Sequence, residues 1–417
     1  MLSLLKPRSE IRLPGFAELV ALVAALMAAN ALAIDIMLPA LPAIGSSLGI
    51  VQENHRQWII TAYMVGFGVA HLVWGPLADR FGRRPVLIVS LSLSFIFSTA
   101  VALAGNFTWL ILCRVLHGTA AAGVRVVGVS IVRDCYSGRQ MARVMSLAFI
   151  VFMAVPVLAP SLGQLVLHIA EWRWVFGLIS IWTGLVLAWT VLRLPETLHP
   201  EYRIRITPQG WYNASRIVLT DRCSVGYTLA LSLVLGTLYG FINSSQQVFF
   251  DVFNRPEMFT YAFAGIAGAI AVASLVNAQI VQRQGMRRVS HAAVLGFLLI
   301  ASTHAIVTWT GHETFWIFVA FQALMMGCFG LASANFSAMA MENLGEVAGT
   351  AASLQGFITT ITGSVFGFAI GQSFDGTTGP MVIGYLVLGS LALFVLLATE
   401  RWRLFQPHHE KDAPAHP

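Results

Sequence analysis

The chain has 417 residues, of which 57% are hydrophobic and only 11% charged, and its mean hydropathy is +0.74. A soluble protein carries roughly a quarter charged residues, so the composition excludes an ordinary water-soluble enzyme or binding module. The net charge of +6 does not point to nucleic acid, because no basic stripe interleaved with exposed aromatics accompanies it.

Twelve continuous apolar runs follow one another along the chain, each close to the roughly 20 residues that carry a helix across a bilayer core. They fall at about 17–36, 56–77, 85–104, 108–132, 141–167, 174–192, 224–250, 259–281, 290–309, 315–341, 349–373 and 381–399. Their continuity excludes a β-barrel, whose strands alternate. The first run carries Ala31-Leu32-Ala33, which imitates the cleavage site of a secretory signal. The run continues through Ile34, Met37 and Leu38, however, and cleavage would invert the arginine-rich loops, so it is read as a retained helix. It also holds Asn30 and Asp35, the latter the only acid well inside any run; Glu18 lies at its edge. A carboxylate near a helix centre costs about 2.5–3.5 kcal/mol on insertion scales. On the residues alone, Asp35 is either a structural group or one that binds and releases a proton.

The second run contains His71 and ends in Gly75-Pro76-Leu77-Ala78-Asp79-Arg80-Phe81-Gly82-Arg83-Arg84, a short basic turn in which Gly82 permits a tight reversal. The fourth run holds Arg114, His117 and Arg125. Counted at 1.5 Å per residue in antiparallel spans, Arg114 falls at the depth of Asp35 and is its natural partner. A permanent pair would oppose proton exchange, so the pairing is expected to be transient or water-mediated. Arg125 lies about 20° round the helix from Arg114 and roughly 16 Å deeper. There it extends a polar track, binds anionic cargo or snorkels to the surface. His117 and His71 titrate or simply hydrogen-bond between helices, and their depths differ too much for a shared metal. In the fifth run Pro156, Pro160 and Gly163 would break a soluble helix, but a membrane bundle can re-satisfy the backbone. They mark a bend near a gate or a packing kink.

A polar segment of about 194–222 divides the runs six and six. Arg80, Gly82, Arg84 and Val86 recur half a chain later as Arg283, Gly285, Arg287 and Val289, which signals an internal duplication. Tyr239, Asn243, Gln246 and Gln247 share a face of the seventh run. With Met325, Met326, Asn335 and Phe336 of the tenth they suggest an aromatic, weakly polar cavity. Cys113, Cys135, Cys223 and Cys328 form neither a disulfide framework nor a metal motif, and no metal site is expected. Nearly all lysines and arginines, among them Lys6, Arg8, Arg12, Arg80, Arg83 and Arg84, fall on one side of the runs. Only Arg56, Arg173 and Arg255 fall on the other. That bias places both termini in the cytoplasm. No Walker A, G-x-S-x-G or H-E-x-x-H pattern is present, so an enzyme is not expected.

From Phe16 to Arg401 the chain resembles the major facilitator superfamily, in particular its drug:proton antiporters of the bicyclomycin/chloramphenicol-resistance type (Bcr/CflA). The resemblance rests on Gly75–Arg84; on Ile34-Asp35-Ile36-Met37-Leu38-Pro39-Ala40-Leu41-Pro42; on Arg114-Val115-Leu116-His117-Gly118; on Ala159-Pro160-Ser161-Leu162-Gly163; on Glu171-Trp172-Arg173-Trp174-Val175-Phe176; and on Leu194-Pro195-Glu196-Thr197. Three positions depart from it: His71 and His117 stand where glutamine is expected, and Gln164 replaces a glycine. The resemblance implies an all-α integral membrane protein of twelve helices in two pseudo-symmetric six-helix bundles, 1–193 and 223–401. A cytoplasmic linker would join them over 194–222, and a disordered tail would follow over 402–417. Gly75–Arg84 would be a cytoplasmic latch, Pro156, Pro160 and Gly163 the antiporter motif, and Asp35 with Arg114 the proton-coupling pair. Asn30, His117, Arg125, Tyr239, Asn243, Gln246, Gln247, Asn335 and Phe336 would line the substrate cavity. The implied activity is proton-driven export of drug-like small molecules by alternating access, from a monomer in a bacterial inner membrane. The proton gradient would be its energy source, with no cofactor. The alternative is a carrier of a specific metabolite such as a siderophore, sugar or amino-acid derivative.

Overall fold

In the computed structural model of the chain, residues 14–136, 138–199, 201, 203 and 207–405 are described. The tail from Gln406, Lys6, Arg8, Arg12 and Arg205 lie outside them. Regular structure among the described residues is helical, and twelve helices are long and apolar enough to cross a membrane. They are α1 (Phe16–Asp35), α2 (Trp58–Phe81), α3 (Arg83–Ala102), α4 (Phe107–Cys135), α5 (Gly138–Ile169), α6 (Arg173–Arg193), α7 (Arg222–Gln247), α8 (Phe259–Gln284), α9 (Met286–Trp309), α10 (Phe315–Ala340), α11 (Ala348–Gln372) and α12 (Gly379–Thr399).

The first apolar run does not form one uninterrupted helix. It breaks at Asp35, passes through a 3₁₀ turn over Leu38–Ala40 and resumes as a short helix over Leu41–Ser47. Pro39 and Pro42 have no N–H to donate to the preceding turn, which accounts for the break. In α5, by contrast, Pro156 and Pro160 are accommodated inside one continuous helix.

The two halves repeat one packing scheme. In the first, α1 packs on α4, α5 and α6, α4 on α2 and α3, and α3 on α6. In the second, α7 packs on α10, α11 and α12, α10 on α8 and α9, and α9 on α12. The halves meet through α2 against α11 and α5 against α8, two interfaces that the same pseudo-symmetry exchanges. Helices in lipid gain little from hydrophobic contact and associate where small residues let backbones approach. A Cβ on Gly66 would lie 2.0 Å from Val115 O, and one on Gly118 2.0 Å from Tyr63 O, so α2 and α4 touch main chain to main chain.

The end of the molecule at which α1 begins and α12 ends, the basic end, also carries Arg80, Arg83, Arg84, Arg133, Arg193 and Arg287. Here the sequence repeat becomes a structural one. Gly82 (φ 102°) and Gly285 (φ 80°) both adopt a left-handed conformation open to glycine and turn the chain from α2 into α3 and from α8 into α9. Arg83 pairs with Asp79 and with Asp134 at the end of α4. Arg287 pairs with Glu342, just past α10, and with Glu400, just past α12. The second copy has glutamine (Gln282) where the first has Asp79 and methionine (Met286) where the first has Arg83, and its acids hold the arginine in register with Arg84. Glu18 of α1 is bound by both arms of Arg193 from α6.

Glu196 of the Leu-Pro-Glu-Thr segment accepts from the backbone N–H groups of Arg83 (2.9 Å), Arg84 (3.3 Å) and Leu198 (2.9 Å), and so caps the N-terminus of α3. Loss of a cap costs about 0.5–2 kcal/mol, so Glu196→Ala should lower the melting temperature of the purified protein by a few degrees. An unchanged melt would mean that water serves these donors equally well. The polar segment between the halves also contains a helix the sequence reading did not anticipate, Pro208–Thr220. Thr207 caps it, and its Val218 packs with Leu344, Ala351 and Leu354.

Candidate functional site

The break in α1 places the Asp35 carboxyl at a helix C-terminus, where the dipole offers an anion nothing. Asp35 is 5% exposed and, among the described residues, has no hydrogen-bond or ion-pair partner. The α5 segment is built directly against this break: a Cβ on Gly163 would lie 1.9 Å from Ile36 O and 3.1 Å from Pro39 Cγ. Sequence reading named Asp35 and Gly163 separately; the fold makes them neighbours.

Arg114 is fully buried. Its Nε donates to Ile59 O at 3.0 Å, Nη1 lies 3.4 Å from His117 Nδ1, and Nη2 has no partner. The guanidinium sits over the Tyr63 ring at 4.5 Å and the Phe176 ring at 5.7 Å. No ion pair within 4.0 Å joins it to Asp35. Tyr63 stands between these groups: its hydroxyl donates to Asn30 Oδ1 at 3.4 Å, and it lies within electrostatic reach of both Asp35 and Arg114. Tyr63 was missed in the sequence, although Tyr63, Phe67 and His71 recur at helical spacing on one face of α2. That stripe is continuous in space, with ring centroids 6.0 Å and 4.8 Å apart along it. His71 Nδ1 donates to Phe67 O at 2.8 Å, and His117 packs edge-on to Tyr63 at 5.2 Å.

Arg125 is exposed, unlike Arg114. Its guanidinium lies 5.9 Å from the Phe67 ring and within electrostatic reach of His71 and of Tyr239 from the other half. Tyr239 is half-buried beside Thr360 of α11. A polar track of Asp35, Asn30, Tyr63, Arg114, His117 and Arg125 thus runs along the inner face of the first half, and Tyr239 faces its open side.

At the end opposite the basic one, amide side chains join the halves. Gln57 Nε2 donates to Gln247 Oε1 and, at 3.0 Å, to Gly371 O. Asn54 Nδ2 donates to Gln372 O (3.2 Å) and Phe374 O (3.0 Å), while Gln372 Nε2 returns a bond to Asn54 O (2.6 Å). Gln247 Nε2 donates to Asn54 Oδ1 at 2.7 Å. Gln164, the residue that departs from the family pattern, accepts from Thr260 of α8 at 3.1 Å. Among the described residues, the hydrogen bonds that join the two halves all lie at this end. A neutral bond contributes about 1 kcal/mol net, roughly a fivefold change in a two-state ratio. Gln57→Ala should therefore raise several-fold the labelling of a cysteine introduced at Thr61, in a background free of native cysteines, by a maleimide added from this end. Equal labelling would show that the amides do not hold the seal.

The residues expected to line one cavity therefore separate. Asn30, His117, Arg125 and Tyr239 belong to the track, whereas Asn243 and Gln247 lie at or beside the seal. Gln246 is buried, its Nε2 without a partner. Phe336 is fully buried 5.8 Å from Tyr227, and Asn335 exchanges hydrogen bonds with Asn277 of α8 at 2.9 and 3.3 Å. Both contacts lie within the second half. Among the described residues no group of three or more His, Cys, Asp or Glu has metal-binding geometry.

Two matched bundles, touching through two helix pairs and enclosing ionisable groups between them, define a secondary transporter and not an enzyme. The Major Facilitator Superfamily profile matches residues 23–368, and the chain belongs to that superfamily. It is 27% identical over 369 residues to the bicyclomycin resistance protein homolog of Haemophilus influenzae, covering 88% of this chain and 91% of that one. To the uncharacterised MFS-type transporter YdgK of Bacillus subtilis it is 30% identical over 373 residues, covering 87% and 91%. The solved xylose transporter XylE of E. coli shares the fold, with a TM-score of 0.73 at 11% identity over 93% of this chain and 98% of that one.

Proposed function

We propose that the protein is a proton-coupled exporter of drug-like small organic compounds, working by alternating access in a bacterial inner membrane. The arginine-rich end faces the cytoplasm, as the charge bias of the loops favours. The structure then represents the state sealed towards the outside. The observation that carries the reading is Asp35, a carboxyl buried without a partner where α1 breaks, against α5, one of the helices through which the halves meet. Buried ionisable groups in transporters serve as proton relays.

In this scheme a compound enters the cleft beside Arg125 and Tyr239 from the cytoplasmic side. Rocking of the bundles over α2–α11 and α5–α8 breaks the amide seal and exposes the compound outside. Asp35 takes up a proton from the outer side, and its release inside completes the cycle. The similarity to a bicyclomycin resistance protein homolog supports a toxic organic cargo. The test is transport in proteoliposomes with chloramphenicol and ethidium under an imposed pH gradient. Movement abolished by a protonophore supports coupling; movement indifferent to the gradient makes the protein a facilitator.

A further inference from the structure

Arg125 is the one cation of the polar track that meets open space. A snorkelling arginine on this helix would reach towards the basic end, but this one turns the other way. Gly75 of α2 lies level with Val126, since its Cβ would sit 3.9 Å from Val126 Cγ1. Phe67, whose ring the guanidinium approaches at 5.9 Å, stands about two turns above that level. The side chain therefore rises past His71 into the space between the halves. Tyr239 of α7 faces it from across the cleft.

Among the described residues neither a hydrogen bond nor an ion pair neutralises Arg125, and Asp35 and the acids of the basic end are all engaged or placed elsewhere. Arg114, the other cation of the track, likewise has no carboxylate partner. A forked guanidinium binds a carboxylate or similar oxyanion through two parallel bonds, and aromatic faces beside it accept a ring. We infer that the cleft selects amphipathic aromatic anions, the acidic group meeting Arg125 and the ring lying against Tyr239, since Phe67 is itself buried beneath the guanidinium. The inference rests on the exporter reading and names its substrate class. It also has an electrical consequence. A proton moving in while an anion moves out transfers positive charge inward on both counts, so an inside-negative potential drives the exchange as well as a pH gradient does. Exchange of one proton for one cation would not respond to potential.

Three probes of one ring system and different charge test it: 2-naphthoate, 2-naphthamide and 2-naphthylmethylammonium. Binding to the purified full-length protein is measured by equilibrium dialysis, and transport in proteoliposomes. The expected result is that naphthoate binds at least about tenfold more tightly than either relative. Arg125→Gln should remove that preference, and Arg125→Lys, which keeps the charge, should retain part of it; thermal melts certify that each variant is folded. Equal or better binding of the amide or the ammonium by the wild-type protein overturns the inference, as does a preference that survives in folded Arg125→Gln. Failure of the two readings is distinguishable. If the pH gradient drives the neutral amide and no anion preference exists, the exporter stands and the anion site falls. If the anion preference holds but no gradient drives any probe, the anion site stands and proton coupling falls.

Discussion

Asp35→Asn is expected to abolish net transport driven by a pH gradient, reducing it to the level of protein-free liposomes, while substrate exchange across a membrane without a gradient continues. The amide matches the carboxyl in size and shape but carries no exchangeable charge, so it holds the carrier in one protonation class. No hydrogen bond or ion pair among the described residues is lost with the substitution, since Asp35 makes none. A carboxyl buried without a hydrogen-bond partner is costly, and the neutral amide is cheaper to bury, so the variant should melt at or above the temperature of the wild type. Net gradient-driven transport that persists in a folded Asp35→Asn would move the coupling site elsewhere on the track, with His117 the next group to replace.

The second large effect is expected at Gly163. Its α-hydrogen faces the main chain of α1, and a Cβ there would lie 1.9 Å from Ile36 O. That overlap is against backbone, which cannot rotate aside, so α5 must move off α1. Overpacking of a close-packed site costs about 1–3 kcal/mol even where side chains can yield. Gly163→Val should therefore melt many degrees lower or fail to accumulate in the membrane. Gly163→Ala, if it accumulates, should transport poorly because the shift falls on the residue next to Asp35. Gly268→Ala on α8 is the control, since a Cβ there meets nothing within 4 Å and the variant should behave as wild type. Matching melts for Gly163→Ala and Gly268→Ala would show that the α1–α5 crossing is looser than its geometry.

The architecture was legible in the sequence because each helix must be apolar for a full bilayer crossing, and because the duplicated basic turn left Arg, Gly, Arg and Val in register. Asp35 was legible for a related reason: a lone acid stands out in an apolar run. What the sequence does not carry is azimuth. A helix such as α10, apolar all round, has no periodicity to say which side faces the cleft, and so the contacts of Asn335 with Asn277 and of Phe336 with Tyr227 could not be read from it. Contacts between helices distant in sequence were equally invisible, including Gly163 on Ile36 and Gln164 with Thr260. Asn54, Gln57 and Gln372 sit at helix ends, where polar residues are ordinary, and only the meeting of the two halves gives them a common role. Glu196 was noted as part of a motif, but its task as the cap of α3 depends on the chain returning past α6 to the start of α3.

The seal at the end opposite the arginines has a consequence for how such a carrier can change over generations. It is assembled from many bonds of similar, modest strength, with no single dominant clasp. A lock with many equal wards is not opened by filing one of them. Single substitutions among Asn54, Gln57, Gln247 and Gln372 should each nudge the resting ratio of closed to open by a small factor, leaving a working carrier. Selection therefore has a finely graduated dial for the ratio of closed to open.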